Sequence, residues 1–163
     1  YTIPETSPPI AVAASSPAAA RLAGRAGDAL ISTAPEAEIV EAFREAGGEG
    51  PVYGQLTVCY GPDEAKAKDE ALEWWPNTSV PGEVGLELAE PQHFEEVAEL
   101  ITTEQVGEKV VCGPDPDAIV EKVGMFTDAG FDQVFLHQVG PRQEEFLAFA
   151  KGELLPALRE GSA

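Results

Sequence analysis

The sequence has few basic residues, few cysteines and no long apolar segment. Ten Lys and Arg stand against 29 Asp and Glu in 163 residues, which gives a formal net charge of −19. A surface this negative repels nucleic-acid phosphates and anionic lipid headgroups, and no cluster of basic residues in the sequence offsets it. We therefore expect no nucleic-acid partner and no membrane association.

The sequence also lacks the patterns of a membrane-spanning segment, a secretory signal, a disulfide-rich protein and a metal site. The uncharged stretch at residues 7–20 contains three prolines, is too short to span a bilayer and follows no basic residue of the kind a secretory signal needs. The two cysteines, Cys59 and Cys112, each follow a valine, and such spacing is typical of small buried thiols. No His, Cys, Asp and Glu grouping has metal-ligand spacing. We expect a cytoplasmic protein without a metal site.

Apolar runs alternate with helical patterns along the chain. Strand-like runs lie at 10–16, 28–33, 52–60 and 133–139, and a short extended piece lies at 110–116. Helical patterns follow them, with capping or stop signals that predict helices at 18–27, 64–75, 118–129 and 144–158. Between about 76 and 109 the glycines and prolines predict an irregular insertion with inserted helices. Alternation of this kind predicts an α/β fold with a parallel sheet.

Four segments carry a signal that is more specific than the alternation of strands and helices. Their sequences are PPIAVAASSPAAARLAGRAGDALIST (8–33), VCYGPDEAKAKDEALEWWP (58–76), EQVGEKVVCGPDPDAIVEKV (104–123) and AGFDQVFLHQVGPRQEEFLAFAKGELLPALR (129–159). Taken in order over nearly the whole chain, they resemble the luciferase-like oxidoreductases. Within that superfamily they are most similar to the branch of glucose-6-phosphate dehydrogenases that use the deazaflavin coenzyme F420.

The resemblance implies a (β/α)8 barrel, the TIM-barrel fold, which needs at least about 200 residues. We therefore expect residues 1–163 to form one domain, the C-terminal half of such a barrel with strands five to eight and helical insertions. Tyr1–Glu5 resembles the segment just before strand five, and a chain that opens in this way is expected to be part of a longer polypeptide.

A half-barrel has consequences for activity and partners. The family keeps its catalytic residues on the first four strands, so no residue here is assigned a catalytic role, and the half alone is expected to be inactive. Four parallel strands also leave two open sheet edges that must be covered. The expected partner is the N-terminal half of the barrel or a second copy of the chain in a homodimer.

The resemblance implies that coenzyme-binding residues lie in the turn after the first strand. Ala14, Ser15 and Ser16 match the family's phosphate-binding turn, where backbone amides and a helix N-terminus favour an anion. Arg25, in the segment AGRAGD, is a further candidate for the coenzyme, although pairing with Asp28 is an equal alternative.

Substrate contacts are implied at Ser32, Thr33, Lys109 and His137. In the sugar-phosphate branch a threonine, two lysines and an arginine hold the substrate phosphate, and Thr33 matches the threonine. The arginine position falls on Lys109 and one lysine position falls on Glu36, which would repel a phosphate. Glucose 6-phosphate is therefore not expected as the substrate. His137 either contacts the substrate or is a hydrogen-bonded core histidine.

Three functions remain open at this stage. The intact barrel would transfer a hydride between an alcohol-type small-molecule substrate and F420. It could instead be a luciferase-type monooxygenase that uses FMN, because both cofactors place a phosphate in the same region. The third reading is a non-catalytic half-barrel that associates with itself.

Overall fold

Strands and helices alternate in the computed structural model, which describes residues 4–160. The strands are β1 (Ala11–Ala13), β2 (Ala29–Ser32), β3 (Val52–Cys59), β4 (Val111–Cys112) and β5 (Gln133–Gln138). The helices are α1 (Pro17–Ala26), α2 (Ala37–Glu45), α3 (Glu64–Trp74), α4 (Gly82–Glu87), α5 (Pro91–Ala98), α6 (Thr103–Gly107), α7 (Pro116–Asp128), α8 (Gln143–Phe149) and α9 (Leu155–Glu160). Of the segment Tyr1–Glu5, residues 1–3 lie outside the described range.

The chain divides into two compact units, and the divisions fall inside β3, α7 and β5. Unit one contains the described residues up to Leu56 together with Glu121–Phe135. Unit two contains Thr57–Val120 and the described residues from Leu136 onward. The predicted single domain with an insertion at 76–109 stays a prediction.

Unit one is built on three neighbouring parallel strands. Leu30 of β2 lies opposite Val12 of β1 and Val52 of β3. Leu30 and Val52 are fully buried, as are Ile39 and Phe43 of α2. An amphipathic α2 thus covers one face of the sheet, and burial of each such side chain stabilises the fold by about 1.5–3 kcal/mol.

An ion pair and its hydrogen bonds fix the start of β3 in unit one. One carboxylate oxygen of Asp132 accepts a hydrogen bond from the Val52 N–H at 2.8 Å and lies 3.2 Å from the Arg44 guanidinium. Arg44 also donates to the carbonyl oxygens of Gly48 and Gly50. The loop that enters β3 is therefore held by a single arginine at the end of α2.

Unit two has its own apolar core at the carboxyl ends of β3 and β4. Val58 pairs with Val111, and Cys59 pairs with Cys112, again in parallel. The buried members of this core are Cys59, Ala71, Val106, Val110 and Val139. The Val139 N–H, just after β5, donates to the Val58 carbonyl oxygen at 2.9 Å. All three strand pairs with a defined register are parallel, which confirms the predicted α/β fold with a parallel sheet.

The structure differs from the predicted helix and strand boundaries at three places. The strand predicted over 10–16 ends at Ala13, because Ser15 and Ser16 leave the ladder to open α1. The irregular excursion after residue 76 contains a 3-10 turn at Pro76–Ser79 and the short helix α4. The last helix is interrupted by a π-helical turn at Ala150–Leu154.

A close backbone approach in unit one generates a stability prediction. A Cβ atom added at Gly50 would lie 1.7 Å from the carbonyl oxygen of Asp28, so the backbone just before β3 would have to move. We expect Gly50→Ala to lower the free energy of unfolding by about 2 kcal/mol or more, measured by urea denaturation.

The matched control is Gly124→Ala in α7, where an added Cβ meets no atom within 4 Å. Because alanine favours helices, this variant should be neutral or more stable by roughly 0.5–1 kcal/mol. Equal unfolding midpoints for the two variants would contradict the close approach at Gly50.

Candidate functional site

A pocket of about 280 Å³ lies in unit one at the carboxyl ends of neighbouring strands. It is lined by the ends of β1 and β2, the residues just after them, and one side chain of β3: Ala13, Ala14, Ser15, Ile31, Ser32, Thr33 and Gln55. None of these lining side chains carries a charge. The lining side chains therefore offer a ligand hydroxyl and amide groups as polar contacts and no ionic contact.

The turn from β1 into α1 forms one wall of the pocket. Ser16 caps the ten-residue α1, since its Oγ accepts a hydrogen bond from the Ala19 N–H at 3.3 Å and Pro17 takes the first helical position. Within residues 4–160, the backbone N–H groups of Ser15 and Ser16 have no hydrogen-bond acceptor. Two unused donors beside a helix N-terminus are the arrangement that an anion such as a phosphate favours.

The end of β2 forms the opposite wall. Ser32 is buried, at 4% exposure, and its Oγ accepts a hydrogen bond from the Ala34 N–H at 3.2 Å. This bond shapes the turn into α2 and leaves the hydroxyl hydrogen of Ser32 as a donor. Thr33 is exposed beside it, so its hydroxyl is accessible to a ligand.

The structure thus brings together four of the residues that the sequence singled out, Ala14, Ser15, Ser32 and Thr33. Sequence reasoning missed Ala13, Ile31 and Gln55. Gln55 could have been found, because a polar side chain in the centre of the apolar run VYGQLTVCY is a signal of a functional position.

Arg25 lies away from this turn. It is exposed in the last turn of α1, nine residues beyond Ser16 and thus about 13 Å along the helix axis. Asp28, the alternative partner considered for it, accepts a hydrogen bond from the Ile10 N–H at 2.8 Å. The geometry gives Arg25 no place in the pocket lining.

Lys109 and His137 lie in unit two, outside the pocket lining. Lys109 is exposed just after α6. The His137 ring packs edge-on against Trp75, with 4.9 Å between the ring centroids. Its Nδ1 is buried and has no hydrogen-bond partner within residues 4–160. His137 is therefore not satisfied at Nδ1 in the way expected of a hydrogen-bonded core histidine.

The loop after β5 is fixed by polar contacts in unit two. The Arg142 Nε donates to both carboxylate oxygens of Glu70 at 3.0 and 3.2 Å, and a second nitrogen of the guanidinium contacts Glu145. These hydrogen bonds, that with Glu70 first, raise the pKa of Arg142 above its usual value. The side-chain oxygen of Gln138 accepts from the Tyr60 N–H at 2.9 Å.

The described residues, 4–160, contain neither a membrane-spanning helix nor a metal-binding cluster. No helix in that range combines the length and apolar character needed to cross a bilayer. No group of three or more His, Cys, Asp and Glu side chains in the same range could hold a metal ion.

Comparisons with known proteins place this site in a family context. The family model described as luciferase-like monooxygenase matches residues 1–133. The sequence is 31% identical to the F420-dependent glucose-6-phosphate dehydrogenase of Mycobacterium tuberculosis and 32% identical to that of Mycolicibacterium fortuitum. In both comparisons the match covers 98% of this chain and 51% of the relative.

Solved structures agree on the fold. An F420-dependent secondary alcohol dehydrogenase in complex with an F420-acetone adduct superimposes with a TM-score of 0.78 at 24% identity, over 97% of this chain and 51% of that chain. The coenzyme F420-dependent tetrahydromethanopterin reductase of Methanopyrus kandleri gives a TM-score of 0.63 at 20% identity, over 92% and 51%. At these identities the likeness establishes the fold alone.

The chain spans about half the length of the curated relatives it matches. The family match covers most of the chain, including both walls of the pocket. The resemblance inferred from the sequence is thereby confirmed, and the chain belongs to the luciferase-like monooxygenase family.

Proposed function

We propose that the chain is the C-terminal half of an F420-dependent oxidoreductase barrel, contributing strands five to eight. The intact protein would transfer a hydride between an alcohol-type substrate and the deazaflavin. The observation that carries the proposal is the pocket at the carboxyl ends of β1 and β2, beside a turn with two unused N–H donors. Enzymes with (β/α)8 barrels place their active sites at this end of the strands.

The residues of the β1–α1 turn fit the phosphate group of the coenzyme. The N–H groups of Ser15 and Ser16 would donate to phosphate oxygens, and the positive end of the α1 dipole would add to the attraction. Small side chains at Ala13 and Ala14 leave room for the ligand to approach the backbone. When bound, F420 supplies the hydride chemistry, while the protein positions the reactants and excludes water.

The opposite wall would orient an uncharged substrate. The Ser32 hydroxyl hydrogen and the exposed Thr33 hydroxyl can bind an alcohol or carbonyl oxygen, and this wall has no cationic side chain to hold a substrate phosphate. Glu36, exposed at the start of α2, adds a negative charge three residues after Thr33. These features favour a neutral alcohol over glucose 6-phosphate. Lys109 and His137 remain candidate substrate contacts in unit two.

One face of the sheet in unit one favours the presence of a partner. In the in-register row of Ala13, Ile31 and Tyr53, Ala13 is exposed and the other two are only partly buried, whereas Leu30 and Val52 on the other face are fully buried. Phe135, 51% exposed, packs on Tyr53 with 5.6 Å between ring centroids. Since the relatives are twice as long, we propose that an N-terminal half covers this surface. A second copy is less favoured because each chain carries −19.

A second candidate is an FMN-dependent monooxygenase, which the name of the matching family model favours. FMN also carries a phosphate that the β1–α1 turn could hold. The absorption spectrum of the bound cofactor, and calorimetric titration with each cofactor in turn, distinguish the two.

The first functional prediction concerns the β1–α1 turn, the proposed binding position of the coenzyme phosphate. We expect Ser15→Asp to raise the Kd for F420 by about tenfold or more, because a carboxylate would face the coenzyme phosphate. The measurement is isothermal titration calorimetry on the protein in its natural assembly.

The matched control is Ser15→Asn, which has the same shape without the charge and should change the Kd by less than about threefold. Ser15 is exposed, so neither variant should impair folding. An unchanged Kd for F420 in the aspartate variant would show that the coenzyme phosphate does not bind at this turn.

The second prediction tests the rejection of sugar phosphates. In the intact barrel, Glu36→Lys should raise kcat/KM for glucose 6-phosphate, relative to a neutral secondary alcohol, by about tenfold or more, because a repulsive charge becomes attractive. Glu38→Lys, an equal charge change at another exposed position of α2, should alter that ratio less than about threefold. Equal effects from both variants would mean that Glu36 has no specific contact with the substrate phosphate.

The third prediction concerns the assembly. Residues 1–163 alone should show no hydride transfer with F420 and an alcohol, whereas activity should appear when the N-terminal half is present. A native mass spectrum of the active material should contain that half. Turnover by a preparation that contains only copies of this chain would refute the barrel requirement.

A further inference from the structure

Two cysteines face each other across a strand pair in unit two. Cys59 is the last residue of β3, Cys112 is the last residue of β4, and they are Cα partners in the parallel ladder. Neighbouring strands lie about 4.8 Å apart, which falls inside the Cα separation of about 4.4–6.8 Å seen in disulfides. The backbone therefore places the two residues at a distance that a disulfide can bridge.

The two side chains also share one environment. Cys59 is fully buried in the core of unit two, and Cys112 packs against that same core while remaining partly exposed. Both are free thiols, and the Cys112 Sγ lies 3.4 Å from the Val110 carbonyl oxygen. Cys112 is thus the more exposed of the two residues, and Cys59 is the buried one.

Two glycines lie close to the cysteines and bring no side chain next to them. Gly113, with a φ of +112°, follows Cys112 and donates its N–H to the Cys59 carbonyl oxygen at 3.0 Å. At Gly140 an added Cβ would lie 3.4 Å from the Cys59 Sγ, so the glycine there leaves space beside the sulfur.

We propose that Cys59 and Cys112 form a reversible intramolecular disulfide by exchange with a low-molecular-weight disulfide. The Cys112 thiolate attacks one sulfur of the reagent, which forms a mixed disulfide and releases the first small thiol. The Cys59 thiolate then attacks the Cys112 sulfur and releases the second. The two protein thiols are oxidised, the reagent is reduced to two thiols, and the protons lost by the cysteines are taken up by the departing thiolates.

The environment sets the resting state of this pair. Burial raises the pKa of Cys59 to about 12, with a further contribution from the charge of Cys112, and burial raises the pKa of Cys112 to about 11. Both thiols are therefore protonated near neutral pH, and exchange is slow. The dithiol persists in a reducing compartment, and the disulfide forms when small disulfides accumulate.

Oxidation would close a covalent loop from Cys59 to Cys112 that contains helices α3 to α6. It would tie the carboxyl ends of β3 and β4 together and constrain the unfolded chain. This inference concerns unit two and does not depend on the proposed cofactor or substrate.

The test treats the natively assembled protein with glutathione disulfide, blocks remaining thiols and maps the disulfides by peptide mass spectrometry. We expect both thiols to be lost together, a peptide joining Cys59 to Cys112, full reversal by reduced glutathione, and a rate that rises about tenfold as the pH increases by one unit. The oxidised protein should also unfold at a higher urea concentration.

Two variants make the result decisive. Cys112→Ser should leave Cys59 as a free thiol, because no accessible sulfur remains to start the exchange. Cys59→Ala should instead accumulate a lasting mixed disulfide on Cys112. The proposal is overturned if the wild-type protein stops at the mixed disulfide, if the bond joins two chains, or if both thiols stay free in the folded protein while the urea-unfolded chain reacts.

Discussion

The pairing of β2 with β3 is the interaction on which the pocket depends. Leu30 lies in register with Val52, and its N–H donates to the Pro51 carbonyl oxygen at 3.1 Å. This register places the end of β2, with Ser32 and Thr33, beside Gln55 in the pocket lining. A shift of one residue would turn every side chain of the strand to the other face. The buried apolar pair therefore fixes the position of the polar groups that follow it.

Much of this arrangement could be predicted from local chemistry. Alternating apolar runs and helices predicted the parallel α/β fold, and small residues before Pro17 predicted a turn into a helix that Ser16 now caps. The polar Gln55 in an apolar strand was a signal in the sequence, but its place beside Ser32 and Thr33 depends on the register of β3 with β2, which the sequence pattern does not give. Arg25 became a coenzyme candidate because the segment AGRAGD resembles the family, whereas the structure places it at the other end of α1 from the turn. The sequence pattern also gave no signal for the π-helical turn in the last helix.

The polar side chains at the end of β5 in unit two differ in whether they have hydrogen-bond partners. Arg142 donates hydrogen bonds to Glu70, and the side-chain oxygen of Gln138 accepts one from the Tyr60 N–H. These bonds fix the end of β5 and the loop after it. Beside them, the Nδ1 of His137 is buried without a partner among residues 4–160. A buried nitrogen left without a partner costs roughly 1–3 kcal/mol, and a hydrogen bond from a ligand would remove that cost. That contrast is why His137 remains a candidate for contact with a ligand.

The strongly acidic composition is compatible with the proposed anion-binding role of the β1–α1 turn because charge acts locally. Exposed charges separated by more than about 8–10 Å are largely screened at physiological ionic strength, so a net charge of −19 need not reach the turn with full force. What matters is the immediate neighbourhood, and residues 7–20 contain no carboxylate at all. The nearest charged side chains along α1 are Arg21 and Arg25, which are cations. The proposed phosphate contact with backbone N–H groups therefore lies in a turn whose own sequence brings no carboxylate.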